Sequence, residues 1–193
     1  YGWPALGGHR SGRKAPIILA GILLNDSSMK HVSDNYPNQF GEDMQTVYVN
    51  QIPGGYSQAW QGAKAIYGGH YGVLNNGQPV SAGLNGPYEQ LQPREWPGQE
   101  GESYRRCCTS MSWIGEGLAM RLLKAQPYWN HDAFFDYIDR WMTEDDTRSN
   151  ATILSQTGIN YAPDWARQKQ THGYFEGQVS TPNFVDDMWA AFR

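Results

Sequence analysis

The sequence is poor in charge, in cysteine and in long apolar runs. Asp, Glu, Lys and Arg together make up 18% of its 193 residues, and the formal net charge is −4. That charge argues against general binding along a phosphate backbone, no basic stripe with interleaved aromatics is present, and no nucleic-acid partner is expected. The longest apolar run, APIILAGILL (15–24), falls well short of the roughly 18–20 residues of a membrane span, and no span is expected. Cysteine occurs only at Cys107 and Cys108, side by side. A structural zinc site needs a second Cys or His pair, and adjacent thiolates do not easily reach one tetrahedral ion. The five histidines, His9, His31, His70, His131 and His172, show no HxH, HxxxH or HExxH spacing. A CxxC pair, a nucleophile elbow, a P-loop and a dinucleotide fingerprint are missing as well. Neither a metal nor any other cofactor is expected.

What is present is aromatic and turn chemistry. Aromatics reach 13%, with eight Trp and twelve Tyr, beside 22 Gly and 11 Pro. Aromatic, glycine-rich loops with little charge suit a surface that binds neutral or weakly charged ligands such as sugars by stacking; they equally suit a core with Tyr at its rim. The chain opens at Tyr1 without Met or a signal peptide, and is read as processed, truncated or the later part of a longer polypeptide. Two sequons, Asn25-Asp26-Ser27 and Asn150-Ala151-Thr152, fit a secreted protein, extracellular or periplasmic, although such tripeptides also arise by chance.

The length suggests one domain, 1–193. Residues 1–32 read as a glycine-rich loop, YGWPALGGHRSGR, followed by a helix over Lys14–Leu24 that is apolar nearly all round and must be covered. Pro16 fits its first turn, and Asn25 or Asp26 stops it. Residues 33–108 read as a long loop with short strands, among them TVYVNQI (46–52). Such long irregular stretches, when ordered, are usually functional. Residues 109–143 read as a helical hairpin. Met111, Ile114, Leu118 and Leu122 keep helix spacing after a cap at Thr109 or Ser110, and Gly115 and Gly117 permit a close neighbour. After QPYW a second helix opens at Asn130, with Phe134, Ile138, Trp141 and Met142 as its apolar face. Residues 144–193 read as a loop and a terminal helix over 181–193.

Among residues that could carry chemistry, Cys107 and Cys108 admit three readings: packed thiols at a helix start, a vicinal disulfide, or a metal-binding or catalytic thiol. Tyr104 and Arg105, at the end of the long loop, are better placed for ligand contact. His9, between glycines and followed by Arg10, Arg13 and Lys14 at a helix N-terminus, could form a carboxylate or sulfate site or simply a solvated loop. His70 in YGGHYG has the same look. Glu42-Asp43 and Asp145-Asp146 are consecutive and point apart. Glu116, between two helical glycines, is a candidate acid without a visible partner.

Five segments occur in order: GGHRSGRKAPIILAGILL, FGEDMQTVYV, YRRCCTSMSWIGEGLAMRLL, WNHDAFFDYIDRWM and PNFVDDMWAAFR. Together they resemble the C-terminal part of the (α/α)-toroid proteins related to polysaccharide lyases of the alginate-lyase and heparinase II/III type, many of them secreted bacterial proteins. The resemblance implies a mainly α fold: antiparallel αα-hairpins of an incomplete toroid, with long Gly/Pro-rich loops and a few short strands. It implies β-elimination on a uronic-acid polysaccharide, with an acidic polysaccharide as partner. By residue type, Tyr104, His9 and His70 would be the acid and base, while Arg105, Arg106, Arg10, Arg13, Tyr71 and Trp60 would bind substrate, the arginines neutralising its carboxylate. The Asn and His that such enzymes bring from an earlier helix would lie outside this chain. An incomplete ring would need a missing N-terminal part, a second chain or self-association to cover its helices. The alternatives are a non-catalytic glycan-binding or assembly subunit on the same scaffold, and a glycoside hydrolase with Glu116 or Glu42 as acid.

Overall fold

The computed structural model describes Trp3, Ala5 and residues 11–72, 74–75, 78–79, 86–144, 146–161 and 184–193. It is mainly helical, with 59% helix and 5% strand. Among the described residues no helix is long and apolar enough to cross a membrane.

Helix α1 (Lys14–Leu24) has the predicted bounds, with Pro16 in its first turn. Asn25 ends it in the left-handed conformation, φ 55°, its N–H returning to the carbonyls of Gly21 and Ile22. Asp26 then caps the one-turn α2 (Ser27–Lys30) by accepting from the Met29 N–H at 2.9 Å. α2 folds back tightly onto α1 because Gly21 leaves room: a Cβ there would lie 2.5 Å from the Lys30 nitrogen. Ala15, Ile18 and Gly21 face the core, whereas Leu23 and Leu24 are 75% and 71% exposed, so only one side of this apolar helix is covered among the described residues.

Short helices α3 (Val32–Asn35) and α4 (Gly41–Met44) lead into β1 (Thr46–Tyr48), which pairs antiparallel with β2 (Ala65–Tyr67). The predicted strand over 46–52 thus stops early, and Val49–Gln51 forms a 3-10 turn. β3 (Leu74–Asn75) and β4 (Gln78–Pro79) make a second small antiparallel pair. Glu100 opens a helical stretch that runs on through α5 (Glu100–Tyr104), a wide π-turn over Arg105–Thr109 and α6 (Ser110–Leu122). Helix therefore begins about two turns before the expected cap at Thr109 or Ser110. QPYW is itself a helical turn, α7 (Gln126–Trp129), closed by Asn130 at φ 49°. The following helix, α8 (Asp132–Thr143), starts after His131 rather than at Asn130. Helix α9 (Asp146–Thr157) was not expected, and α10 (Phe184–Phe192) is the described part of the expected terminal helix.

The core lies between α6 and α8. Trp113 packs on Phe134 and Tyr137 with ring centroids 6.0 and 5.8 Å apart, and Trp129 stacks on Phe134 at 4.4 Å. Burying a side chain such as Phe134 contributes about 1.5–3 kcal/mol. Gly117 makes the approach possible, since a Cβ there would stand 2.8 Å from Ile138 Cδ1. Arg121 of α6 grips Asp139 of α8 with two hydrogen bonds, at 3.0 and 2.8 Å. His131 Nε2 lies 2.9 Å from the Thr46 carbonyl, joining the start of α8 to the sheet.

Candidate functional site

Along the α5–α6 stretch, residues three and four apart share a face. Arg105, Arg106, Thr109, Ser110, Trp113, Ile114, Gly117 and Leu118 turn inward. Tyr104, Cys107, Cys108, Ser112 and Glu116 form the other, partly open face. The π-turn sits in the middle of this strip; such wide turns are rare inside helices and frequent at functional sites.

At one end of the strip the structure brings together three predicted residues. The His70 ring lies on Tyr104 with centroids 4.0 Å apart and beside Tyr71 at 4.6 Å. The loop that carries His70 is pinned from behind by Gln45, whose amide donates to the carbonyls of Gly69 (2.9 Å) and His70 (3.0 Å) and to the Tyr67 hydroxyl (3.2 Å). Gly72 closes the loop at φ 94°, where a Cβ would also press within 3.0 Å of Ala5 and Met44. Tyr71 is 47% exposed, and His70 Nδ1 has no hydrogen-bond partner among the described residues. A positioned phenol and imidazole in contact at a partly open surface can hold and pass protons.

Cys107 and Cys108 are joined as a disulfide and are both exposed. Of the open readings, packed thiols at a helix start is therefore corrected: the side chains point to solvent from a turn inside a helix. Arg105 and Arg106 are buried behind the strip instead of lying on it. Glu102 accepts from Arg105 Nε and Nη2, both at 3.0 Å, from Arg106 Nε and from the Tyr88 hydroxyl at 2.8 Å. Burial alone would raise the Glu102 pKa, but Arg105 and Arg106 outweigh it and hold the carboxyl well below its ordinary range. Arg140 bonds Glu89 and lies 3.2 Å from Glu144, and Arg105 is 3.9 Å from each of these two carboxylates. Opposed charges at such separations offset the cost of taking them from water. The network fixes the backbone next to Tyr104.

The other end of the strip is acidic. Glu42 Oε1 accepts from the N–H groups of Gly12 (2.6 Å) and Arg13 (3.3 Å), at the N-terminus of α1 where a negative charge is favoured. Its carboxyl is also in hydrogen-bonding contact with Glu116. Burial and then the neighbouring Glu42 raise the Glu116 pKa to about 9, and Glu42 is raised by burial too. Glu42 Oε2 and Glu116 Oε2 are both buried with no other hydrogen-bond partner among the described residues. Asp43 binds the buried Lys14 at 2.7 Å.

Arg13 is exposed at this acidic end, whereas Trp60 lies on a separate cleft with Arg140 and Glu144. His9 and Arg10 lie outside the described residues. Sequence reasoning missed Gln45, Glu89 and Glu102. For Glu102 a signal existed, because it precedes Arg105 and Arg106 by the three and four residues of helical ion pairs. No group of three or more His, Cys, Asp or Glu that could hold a metal ion occurs among the described residues. Comparison with family models, with curated proteins and with solved structures returns no match to this chain.

Proposed function

We propose that this chain is a secreted, carbohydrate-active protein of polysaccharide-lyase type, built from helical hairpins of an incomplete toroid and cleaving a uronic-acid polysaccharide by β-elimination. The observation that carries this reading is the contact between His70 and Tyr104, ring centroids 4.0 Å apart on a partly open face. In this reading His70 takes the proton next to the uronate carboxylate, and Tyr104 gives its proton to the leaving glycosidic oxygen as that C–O bond breaks and a C=C bond forms. The proton passes back from His70 to Tyr104 to close the cycle. Arg105 and Arg106, engaged with Glu102, act as positioning residues for Tyr104. Arg10, outside the described residues, is the candidate for the cation that faces the carboxylate, since Arg13 stands at the acidic end of the strip. Further chain, a second subunit or self-association covers the exposed Leu19, Leu23 and Leu24 of α1.

The test is incubation with alginate, glucuronan and heparin-type polymers while following the ultraviolet absorbance of the unsaturated product. The wild-type chain should generate it on one polymer, and Tyr104→Phe and His70→Ala should each abolish it. A flat trace across the whole panel rules the lyase reading out.

A further inference from the structure

A cleft of about 630 Å3 opens between the turn at Trp60–Ala63 and helices α8 and α9, and it shares no lining residue with the Tyr104 strip. That volume falls in the range of about 300–1,000 Å3 typical of ligand sites. Its aromatic wall is Trp60. The indole is held edge-on against Trp96 at 6.5 Å, and the Trp60 backbone N–H donates to the Glu89 carbonyl at 3.0 Å. Gly62, at φ 93°, completes the turn through its N–H to the Ala59 carbonyl at 2.8 Å. The platform is thus set before any ligand arrives.

The facing wall is polar and equally fixed. Arg140 is clamped by Glu89 and Glu144, and Ser149 Oγ donates to Glu144 Oε1 at 2.8 Å. Gln61 donates its amide to Glu89 at 3.1 Å. Behind the lining, Gln61 Oε1, an acceptor, and Arg140 Nε, a donor, are buried and without a partner among the described residues. An aromatic face opposite preset amide, guanidinium and hydroxyl groups matches one ligand chemistry: a ring with an apolar C–H face and a rim of hydroxyls, which both give and accept hydrogen bonds.

We infer that this cleft is a second glycan-binding site, in which a pyranose unit of an oligosaccharide stacks on Trp60 and directs its hydroxyls toward Gln61 and the α8–α9 wall. The choice of ligand class rests on the polysaccharide reading above, but the site needs neither His70 nor Tyr104. It would hold the polymer while the strip acts on another unit.

The test is calorimetric titration of the full chain carrying Tyr104→Phe, which keeps the ligand intact, with tetrasaccharides of mannuronate, glucuronate and glucose. At least one should bind, and comparison of the acidic with the neutral ligands shows whether Arg140 reads a carboxylate. Trp60→Ala should weaken that binding about tenfold through loss of the stacking surface. Thr152→Trp, a substitution on the lining surface of α9, should block it while leaving Trp60 and the core intact, so a fold loss in Trp60→Ala cannot decide the matter. Absence of binding by all three, or binding unchanged in Thr152→Trp, overturns the site. Since the titration reads no turnover, failure of the lyase reading alone would leave its result untouched.

Discussion

Glu116 of α6 and Glu42 of α4 meet as a hydrogen-bonded pair of carboxyls, with Glu42 also accepting the Gly12 N–H at 2.6 Å. In the unfolded chain Glu116 releases its proton near 4.5, whereas in the folded chain it holds it up to about 9. Between those values the folded state binds a proton that the unfolded state has lost, so stability falls as pH rises. The contribution is fully present below about 4.5 and gone above about 9. Urea unfolding across this window should show a decline that Glu116→Gln, which cannot ionise, reduces. Glu42→Ala should cost about 1–3 kcal/mol by stranding the amides at the start of α1.

Glu102 has the opposite sign. Arg105 and Arg106 hold its folded pKa far below the ordinary 4.5, so its stabilisation is present above that value and lost as pH falls through the folded one. Glu102→Ala leaves two buried guanidinium groups short of a carboxylate, and about 3–5 kcal/mol of stability should disappear. Chemical denaturation at neutral pH measures it. A loss under about 1 kcal/mol, the range of exposed pairs, would contradict the burial argument.

What could be seen in advance follows from where the determinants lie. Helix α1 was legible from its apolar run, Pro16 and Asn25, all local. The start of helix at Glu100 was not, because Gly98 to Gly101 look like a turn. What holds Gly101 in helix is tertiary: Tyr88 packs so closely that a Cβ would meet it at 2.5 Å. α9 buries one apolar side chain deeply, Ile153, and has no apolar stripe to read. Its Asn150 instead binds Asn160 and the Tyr161 N–H, which also places the second sequon in a buried, bonded position, whereas Asn25 is exposed. In the site, the residue types His70, Tyr71 and Tyr104 were legible. Their contact was not, since it depends on Gln45 pinning a distant loop, and the Glu42 partner of Glu116 is equally remote in sequence.

The Cys107–Cys108 disulfide closes almost no chain, so little loop entropy is removed from the unfolded state. Both residues are exposed on the strip beside Tyr104. Mild reductant followed by iodoacetamide should add two labels to the folded protein by mass spectrometry. The unfolding midpoint should shift by the equivalent of about 1 kcal/mol or less. A large loss of stability on reduction would mean that the bond, rather than the Glu102 network, holds the π-turn.

Two glycines of α6 separate packing from propensity within one helix. Gly117 faces α8, where an added Cβ would stand 2.8 Å from Ile138 Cδ1 and 3.7 Å from Trp189. At Gly115 nothing among the described residues stands within 4 Å of an added Cβ. Alanine at either position gains about 0.8–1 kcal/mol of helix propensity over glycine. At Gly115 that gain is unopposed, so Gly115→Ala should raise the unfolding midpoint. At Gly117 overpacking of about 1–3 kcal/mol acts against it, so Gly117→Ala should lower the midpoint by up to 2 kcal/mol equivalent. The double variant Gly117→Ala with Ile138→Val removes the clashing Cδ1 and should recover much of the loss, because the two side chains share one contact. If Gly117→Ala stabilises as Gly115→Ala does, α6 and α8 are not packed as closely as this glycine requires.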